Sequence, residues 1–304
     1  WQWQANINQV YNITSLVSIC SSNDEYYPEK FCFSSLESKD VKDIFYIANR
    51  HGDEWEKIWE HSEVKITGDD KAQKWINFAI YHLIISGKFS GNKYSIPART
   101  LTGEAYKGHI FWDTEIYLLP FFMFTYPNIA KALLMYRYNT LDGARKEARK
   151  QDFKGACYAW ESTDTGIERA PEHVLLPTGE VVKIYSGINE NHVSQDIAYA
   201  IWQYWIITQD DEFLFDYGAE IIIETARFGA GILKQGNDGY YHIPNVVGPD
   251  EYHELVDDNA FTNIMVAHNI EVCLNVLNVM QEKAPEKFKS LMGKLSLTED
   301  EISY

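Results

Sequence analysis

The chain has 304 residues and a formal net charge of −17, and no stretch of it is rich in Lys or Arg. An acidic surface argues against nucleic acid and against an anionic membrane as partners. No apolar segment reaches the roughly 18 residues of a membrane span, and the first residues lack the basic and apolar parts of a signal peptide. The length allows one large domain or two ordinary ones.

The first 36 residues predict extended structure. β-branched and aromatic residues alternate with polar ones in VYNITSLVSICS, and the Pro-containing polar stretch that follows is typical of a loop. We interpret residues 1–36 as the tail of a β domain, residues 37–66 as a helical linker and residues 67–304 as part of a helical domain. The sequence begins without Met, and we expect it to be part of a longer protein.

From Ser38 onward apolar residues recur at helical spacing, and the stretch DDKAQKWINFAIYHLIISG has the acidic start and terminal Gly expected of a helix. Strand patterns after residue 40 are limited to residues 180–187 and 239–247. Helices of similar length joined by long aromatic-rich loops predict an all-α fold, an α/α barrel or toroid with a pocket at one rim. The later helices are predicted at about 112–125, 127–150, 192–208, 211–234, 259–282 and 285–294.

Three loop segments carry the candidate chemistry: residues 106–122, 154–168 and 246–254. Each places an aromatic residue beside a carboxylate, in FWD, AWE and DEY, next to a predicted helix. Carbohydrate sites use this combination, because carboxylates bind vicinal hydroxyls while an aromatic ring covers the apolar face of the sugar. Cleavage of a glycosidic bond also needs a carboxylic acid that protonates the leaving oxygen.

Glu251 is the candidate for that acid, because partial burial and the neighbouring carboxylate of Asp250 could raise its pKa. Asp250 itself is the alternative, although it is better placed to stabilise the turn after the Gly-Pro pair. Asp113, which follows Trp112, could be an ordinary helix cap. The residues alone leave these readings open.

A metal site is a weaker reading of the same region. His242, His253 and His268 lie near Asp257 and Asp258, but the HExxH spacing is absent, and DDNAFTN lacks the Gly and terminal Glu of a calcium loop. The glycine-rich GAGILKQGNDG lacks the spacing of a nucleotide-binding loop. We therefore predict no metal and no cofactor.

Together the segments resemble glycoside hydrolase family 65, which contains inverting disaccharide phosphorylases and related α-glucosidases. The resemblance covers about residues 40–285 and implies an (α/α)6 barrel preceded by a β-sandwich domain and a helical linker. It runs in order through SIPARTLTGEAYKGHIFWDTEIYLLPFF, ALLMYRYNTLDGARKEARKQDFKGACYAWES, HVSQDIAYAIWQYW and VVGPDEYHELVDDNAFTN.

The resemblance also implies roles for individual residues. Glu251 in GPDEY matches the general acid of the family. Trp112 and Asp113 are expected in the wall around the non-reducing glucose. Trp160 and Glu161 are expected at the boundary between glucose and acceptor sugar, and His192 is expected close to that boundary.

The implied reaction is attack on the anomeric carbon of an α-glucoside with inversion. In the phosphorylases the nucleophile is inorganic phosphate, a co-substrate, and the product is β-glucose 1-phosphate; in the hydrolases it is water activated by a second carboxylate. Phosphate needs no catalytic base, so Glu251 alone would supply the proton. YAWES and LDGARKEARK favour the phosphorylases. Hydrolysis and a non-catalytic sugar-binding fragment are the alternatives.

The family's phosphate-binding segments and the second carboxylate of its hydrolases are expected downstream of DDNAFTN, and the sequence given does not contain them. We therefore expect weak or no activity from the chain alone. The full-length protein is expected to be a cytoplasmic homodimer that binds a disaccharide and phosphate, without nucleic acid or membrane as partners.

Overall fold

The computed structural model describes residues 2–22, 24–38, 43–87, 93–100, 103 and 105–303. The chain divides into two compact units, Trp1–Gln73 and Lys74–Tyr304. Their boundary falls inside the helix Asp70–Gly87. The identities assigned to residues 1–36, 37–66 and 67–304 from the sequence stay predictions.

The first unit is helical where it has regular structure. Its helices are α1, Pro28–Glu37, which begins with a proline at a favourable first position, and α2, Ile44–Ser62, which is capped by Asp43. A helix is therefore present within residues 37–66 as α2, although residues 39–42 lie outside the described residues. Its role as a linker stays a prediction.

The strands predicted within residues 1–36 are not formed in the described part of that segment. Apolar side chains there are exposed, with Ile7 at 93% and Ile19 at 90%. A strand is stable only when a neighbouring strand pairs with its backbone, and the described residues of the segment have no such neighbour. Alternation of residue types alone does not supply that neighbour.

The second unit contains most of the helices, and these agree closely with the predicted positions. Two π-helical turns, Thr114–Leu118 and Leu214–Gly218, lead into the helices that follow them. The helices are α3 (Asp70–Gly87, which begins before the unit boundary), α4 (Leu119–Thr125), α5 (Pro127–Asn139), α6 (Leu141–Lys150), α7 (Ser186–Asn189), α8 (His192–Thr208), α9 (Asp211–Phe213), α10 (Ala219–Ile232), α11 (Ala260–Lys283), α12 (Pro285–Leu295) and α13 (Glu299–Ser303).

Two short antiparallel hairpins accompany the helices. Strand β1, His173–Leu175, pairs with β2, Val181–Lys183, and β3, Lys234–Gln235, pairs with β4, Tyr241–His242. Strands β2 and β4 lie in the two segments that the sequence predicts to be extended. The fold is mostly helical, as predicted.

Helices α8, α10 and α11 form the centre of the core. Most residues of α8 are buried, including Ile197 and Ile201, because its sequence is apolar on nearly all sides. It packs against both α10 and α11, which contribute Ile222 and Val276. The N-termini of α8 and α11 are therefore fixed by a rigid core, and the candidate site residues cluster at these ends.

Helix α11 is long and apolar enough to cross a membrane by length and composition alone, the one such helix among the described residues. The sequence analysis predicts no apolar segment of that length. In the structure Val266, Val272 and Met280 of this helix are buried in the protein core, whereas Ile264 and Leu274 are exposed. Helix packing therefore accounts for part of its apolar character.

Candidate active site

The FWD segment lies at the start of the π-helical turn that leads into α4. Asp113 occupies the position before that turn but makes no capping hydrogen bond with its side chain, and it is exposed. The carboxylate is therefore available to a ligand, and the alternative reading of Asp113 as a helix cap is wrong. The neighbouring Trp112 is partly buried.

A buried ion pair fixes this segment to α5. The Arg137 guanidinium donates through Nε to Glu115 Oε1 at 2.8 Å and through Nη2 to Glu115 Oε2 at 2.7 Å. Nη2 also donates to the carbonyl oxygen of Phe111 at 3.0 Å. Burial lowers the pKa of Arg137, but Glu115 raises it by more, so Arg137 remains charged. The pair therefore holds both ends of the segment that contains Trp112.

The AWES segment is joined to the FWD segment and to the same helix. Ile110 and Ser162 exchange two backbone hydrogen bonds, each 2.9 Å long. The hydroxyl of Tyr136, the residue before Arg137 in α5, donates to the carbonyl oxygen of Thr163 at 2.7 Å and lies 2.8 Å from Ser162 Oγ. Two adjacent residues of α5 thus anchor both loops.

The carboxylate of Glu168 organises the backbone of the AWES segment. It accepts hydrogen bonds from the backbone N–H groups of Trp160 at 2.7 Å, Glu161 at 3.1 Å, Arg169 at 2.9 Å and Ala170 at 2.8 Å. Burial raises the pKa of Glu168, and these donors partly offset the rise because they stabilise the carboxylate. Glu168 therefore shapes the loop without itself reaching a substrate.

The side chain of Glu161 is buried and lies against His109. Its Oε1 is 2.6 Å from His109 Nδ1. The preceding residue, Trp160, packs edge-to-face against Phe111 with ring centres 4.9 Å apart. The two residues predicted together from AWES are thus held by two different neighbours from the other loop.

His192 is the first residue of α8 and is fully buried. Its ring packs edge-to-face against Trp112 at 4.9 Å and against Phe261, near the start of α11, at 5.1 Å. Nδ1 lies 2.6 Å from Asp196 and Nε2 lies 3.2 Å from Glu190. Burial lowers the pKa of His192, but the two carboxylates outweigh it and raise the pKa to about 9.

The loop that carries Glu251 is closed at its base by backbone pairing. Val246 and Val256 exchange hydrogen bonds of 2.9 and 3.0 Å. Gly248 lies so close to Asn259, which caps α11, that a side chain at this position would collide with it. A glycine is therefore required at the turn that precedes Glu251.

Asp250 has the role predicted for it in this turn. Its carboxylate accepts from the backbone N–H of Tyr252 at 3.1 Å and lies 2.7 Å from His253 Nδ1. These contacts, the backbone one first, lower its pKa. Asp250 is therefore a carboxylate occupied by its own loop, which disfavours it as an acid catalyst.

Glu251 has the opposite electrostatic environment. Its pKa is raised first by burial and then by the charges of Glu190 and Asp113, with a smaller opposing effect from His192. The sequence predicted a raised pKa for this residue from partial burial and from Asp250, and the contribution of burial agrees with the structure. The responsible carboxylates come instead from two other segments of the chain.

The structure thus brings the predicted residues to one place from four segments. Asp113 and His192 act on Glu251, Trp112 contacts His192, and Trp160 is a polar neighbour of Glu190. Glu161 lies beside Trp160 in the chain, with its carboxylate against His109. Glu251 is exposed and is influenced by two carboxylates and His192, and a carboxylic acid in such surroundings can protonate the leaving oxygen of a glycoside.

Sequence reasoning missed Glu190, Glu168, His109 and the pair of Glu115 with Arg137. The sole local signal for Glu190 is its position two residues before His192 in NENH. Glu168 binds backbone seven and eight residues earlier in the chain, a relation that no periodic pattern encodes. These residues act through tertiary contacts.

The His and Asp side chains considered as metal ligands do not lie together at one place. His242 lies 2.6 Å from Asp258, whereas His253 contacts Asp250. Within the described ranges no group of three or more His, Cys, Asp and Glu side chains is arranged to hold a metal ion. The absence of a metal and of a cofactor stays a prediction.

The comparisons with known proteins identify the family of the chain. The family description "Glycosyl hydrolase family 65 central catalytic domain" matches residues 77–303. This chain therefore belongs to glycosyl hydrolase family 65.

Curated relatives give the same family. A kojibiose phosphorylase of Halothermothrix orenii is 44% identical over 89% of this chain and 35% of its own length. An α,α-trehalose phosphorylase of Thermoanaerobacter brockii is 39% identical over 96% of this chain and 37% of its own length. The chain thus spans little more than a third of these relatives.

A solved structure is similar over most of the chain. It is described as "Putative kojibiose phosphorylase from human microbiome" and matches with a TM-score of 0.78 at 26% identity, covering 90% of this chain and 38% of that one. The mostly helical fold is therefore shared with that protein.

We predict that Arg137→Met destabilises the protein by about 3–5 kcal/mol, because it leaves the buried carboxylate of Glu115 without a partner. The double variant Arg137→Met/Glu115→Leu should lose less, since it buries no charge. Urea unfolding measures both. As a control, Lys57→Met in the exposed pair with Glu54 should leave the midpoint nearly unchanged. Equal midpoints for Arg137→Met and the control would contradict the anchoring role.

We predict that Glu168→Gln loosens the AWES segment, because a neutral amide accepts the four backbone hydrogen bonds less strongly. Hydrogen exchange of those four amides should accelerate by roughly tenfold or more. The control is Glu172→Gln, at an exposed position of the same loop. Unchanged exchange in Glu168→Gln would show that the loop is held by other contacts.

Proposed function

We propose that this chain belongs to an enzyme that cleaves an α-linked glucose disaccharide with inorganic phosphate. The products would be β-glucose 1-phosphate and a free sugar. The observation that carries the proposal is Glu251, whose carboxyl pKa is raised by burial and by the charges of Glu190 and Asp113, while Trp112 beside Asp113 packs against His192. The names of the phosphorylase relatives support the choice of phosphate as the nucleophile.

The proposed step is a single displacement. A phosphate oxygen forms a bond to the anomeric carbon on the face opposite the leaving oxygen, and the carbon–oxygen bond breaks with its electron pair moving to that oxygen. Glu251 transfers its proton to the same oxygen and becomes a carboxylate. The configuration inverts because there is one attack, and no basic residue is needed since phosphate already presents a nucleophilic oxygen.

The remaining predicted residues would bind the sugar. Asp113 is proposed to accept hydrogen bonds from glucose hydroxyls beside the ring of Trp112. Trp160 and Glu161 are proposed to lie at the boundary with the acceptor sugar. His192 would support the wall from behind, since it is fully buried and contacts Trp112.

The architecture around this site is proposed to be part of an (α/α)6 barrel. Support comes from the packing of α8 against α10 and α11 and from the family of the chain. The homodimer and the cytoplasmic location stay predictions for the full-length protein, as does the upstream β-sandwich domain.

Two alternatives remain. Hydrolysis by the same acid would need a second carboxylate that activates water. A sugar-binding role without catalysis would need Glu251 to be dispensable. Phosphate dependence and the loss of Glu251 distinguish these from the proposal.

The phosphate requirement is tested with the protein expressed from its complete reading frame. A panel of α-linked glucose disaccharides is incubated with and without phosphate, and glucose 1-phosphate and glucose are measured. We expect glucose 1-phosphate to form from at least one substrate and turnover to stop without phosphate. Equal release of glucose in both conditions would replace phosphorolysis by hydrolysis.

The role of Glu251 is tested by Glu251→Gln in the same protein. We expect kcat on the disaccharide to fall by roughly 10²–10⁴-fold, because the leaving oxygen is no longer protonated. Turnover of α-glucosyl fluoride with phosphate should be largely retained, since fluoride leaves without a proton. Near wild-type turnover of the disaccharide would remove Glu251 as the acid and return Asp250 as the candidate.

A further inference from the structure

Glu190 is a buried carboxylate with unusual surroundings. Only 4% of the residue is exposed, and the polar side chains near its carboxylate are those of His192, Ser186 and Trp160. Among the described residues its close charged partner is His192, with Oε1 and Nε2 3.2 Å apart. Removing a carboxylate from water is costly even beside one cation, so its presence in the core calls for a reason other than stability.

His192 stabilises the negative charge of Glu190. The ring is held by Asp196 on its other nitrogen, at 2.6 Å, and the two carboxylates raise its pKa to about 9. The imidazole is therefore a cation near neutral pH, between two carboxylates. Burial raises the pKa of Glu190 and of Asp196, and His192 lowers both in turn. With both carboxylates ionised, the cluster carries one net negative charge.

Glu190 is joined, through the residue before it, to the loop that carries Glu251. The residue before Glu190 is Asn189, whose carbonyl oxygen accepts from the backbone N–H of Val247 at 2.9 Å. The Asn189 side chain also donates to the carbonyl oxygen of Asn245 at 2.7 Å. Glu190 therefore keeps a fixed position relative to the loop that carries Glu251.

We propose that Glu190 is a positioning residue whose fixed negative charge keeps Glu251 protonated in the working enzyme. The proposal rests on the proposed function, in which Glu251 is the proton donor. An acid catalyst is useful only while it holds its proton, and a nearby negative charge disfavours loss of that proton. His192 favours the charged form of Glu190, and Asp196 favours the charged form of His192.

The cluster of Glu190, His192 and Asp196 is surrounded by polar and charged groups from several segments of the chain. The charges of Glu190, Asp113 and His192 act on the pKa of Glu251, and Asp113 belongs to the FWD segment. Asp196 is also influenced by the buried pair of Glu115 with Arg137, whose charges oppose each other. Ser186 and Trp160 are the polar uncharged neighbours of Glu190. Of the two carboxylates that act on Glu251, Glu190 is the buried one, where water screens its charge less.

The sign of the expected effect follows directly. Activity that depends on protonated Glu251 falls as pH rises through the pKa of Glu251. Replacing Glu190 by Gln removes a negative neighbour, lowers that pKa and moves the alkaline limb of kcat/KM to lower pH. We expect a shift of roughly half a unit to one unit, from the interaction of two charges in a partly buried site.

The experiment uses the protein from its complete reading frame and compares Glu190→Gln, Glu190→Asp and Glu254→Gln with the wild type. Glu254 is an exposed carboxylate on the same loop and serves as the matched control. Phosphorolysis of the best disaccharide of the panel is measured from pH 5 to 9, beside that of α-glucosyl fluoride. The fluoride needs no proton from Glu251, so its rate should not follow the shifted limb.

We expect the limb to move in Glu190→Gln, to return most of the way in Glu190→Asp, which restores the charge, and to stay in place in Glu254→Gln. An unmoved limb in a folded Glu190→Gln variant overturns the proposal. So does an equal loss with both substrates at every pH, because that is the signature of a purely structural residue.

A second measurement needs no variant. The Glu251 carboxyl of the wild-type protein is titrated by carbon NMR, and its resonance should titrate above the ordinary glutamate value of about 4.3 and carry a second inflection where Glu190 titrates. A single ordinary titration would overturn the proposal. Failure of the proposed function is recognised separately, since it is read from phosphate dependence and from Glu251→Gln.

Discussion

The buried ion pair of Arg137 with Glu115 is the interaction on which the rest of the site depends. Both side chains are inaccessible to water, and the pair is bidentate, so it fixes orientation as well as distance. Because Tyr136 next to Arg137 binds the AWES segment, one turn of α5 sets the relative position of two loops. Such a pair contributes little net stability compared with apolar residues, but it tolerates few alternative geometries. Its role here is to define where Trp112 and Asp113 lie.

One part of the site is the FWD and AWES segments held by α5, and the other part is the loop that carries Glu251. Glu251 lies in a loop of backbone pairs and turns, where Asp250 supports its own turn and Asn189 attaches the loop to α7. Loops held at their bases commonly carry catalytic groups because small movements can follow the substrate. Trp112 and Asp113 on one side, and the candidate acid Glu251 on the other, are thus supplied by different parts of the chain. His192 links the two parts, because its ring contacts Trp112 and its charge acts on Glu251.

Much of this could be predicted from the sequence, and the exceptions have a physical cause. Helical periodicity located the helices because a core helix needs a repeating apolar face, and aromatic-carboxylate pairs together with the family resemblance located the loops. The exposed extended residues around Ile7 and Ile19 were misjudged, since a strand depends on a partner that a local pattern cannot reveal. The raised pKa of Glu251 was predicted with the wrong neighbour, because Glu190 lies 61 positions earlier in the chain. Electrostatic interactions depend on distances in the folded protein, whereas a motif is recognised from residues that are neighbours in the sequence.

The clustering of carboxylates around Glu251 also constrains where phosphate could enter. Asp113 and Glu190 would repel an anion, and the buried cation Arg137 is already paired with Glu115. In a displacement with inversion, however, the nucleophile and the leaving group are on opposite faces of the sugar. An acidic environment at the leaving oxygen is therefore compatible with an anionic nucleophile only if the cationic groups lie on the far face. In the proposed reaction the sugar ring would separate the two charge environments, and this separation would allow a neutral acid and a phosphate anion to act within one site.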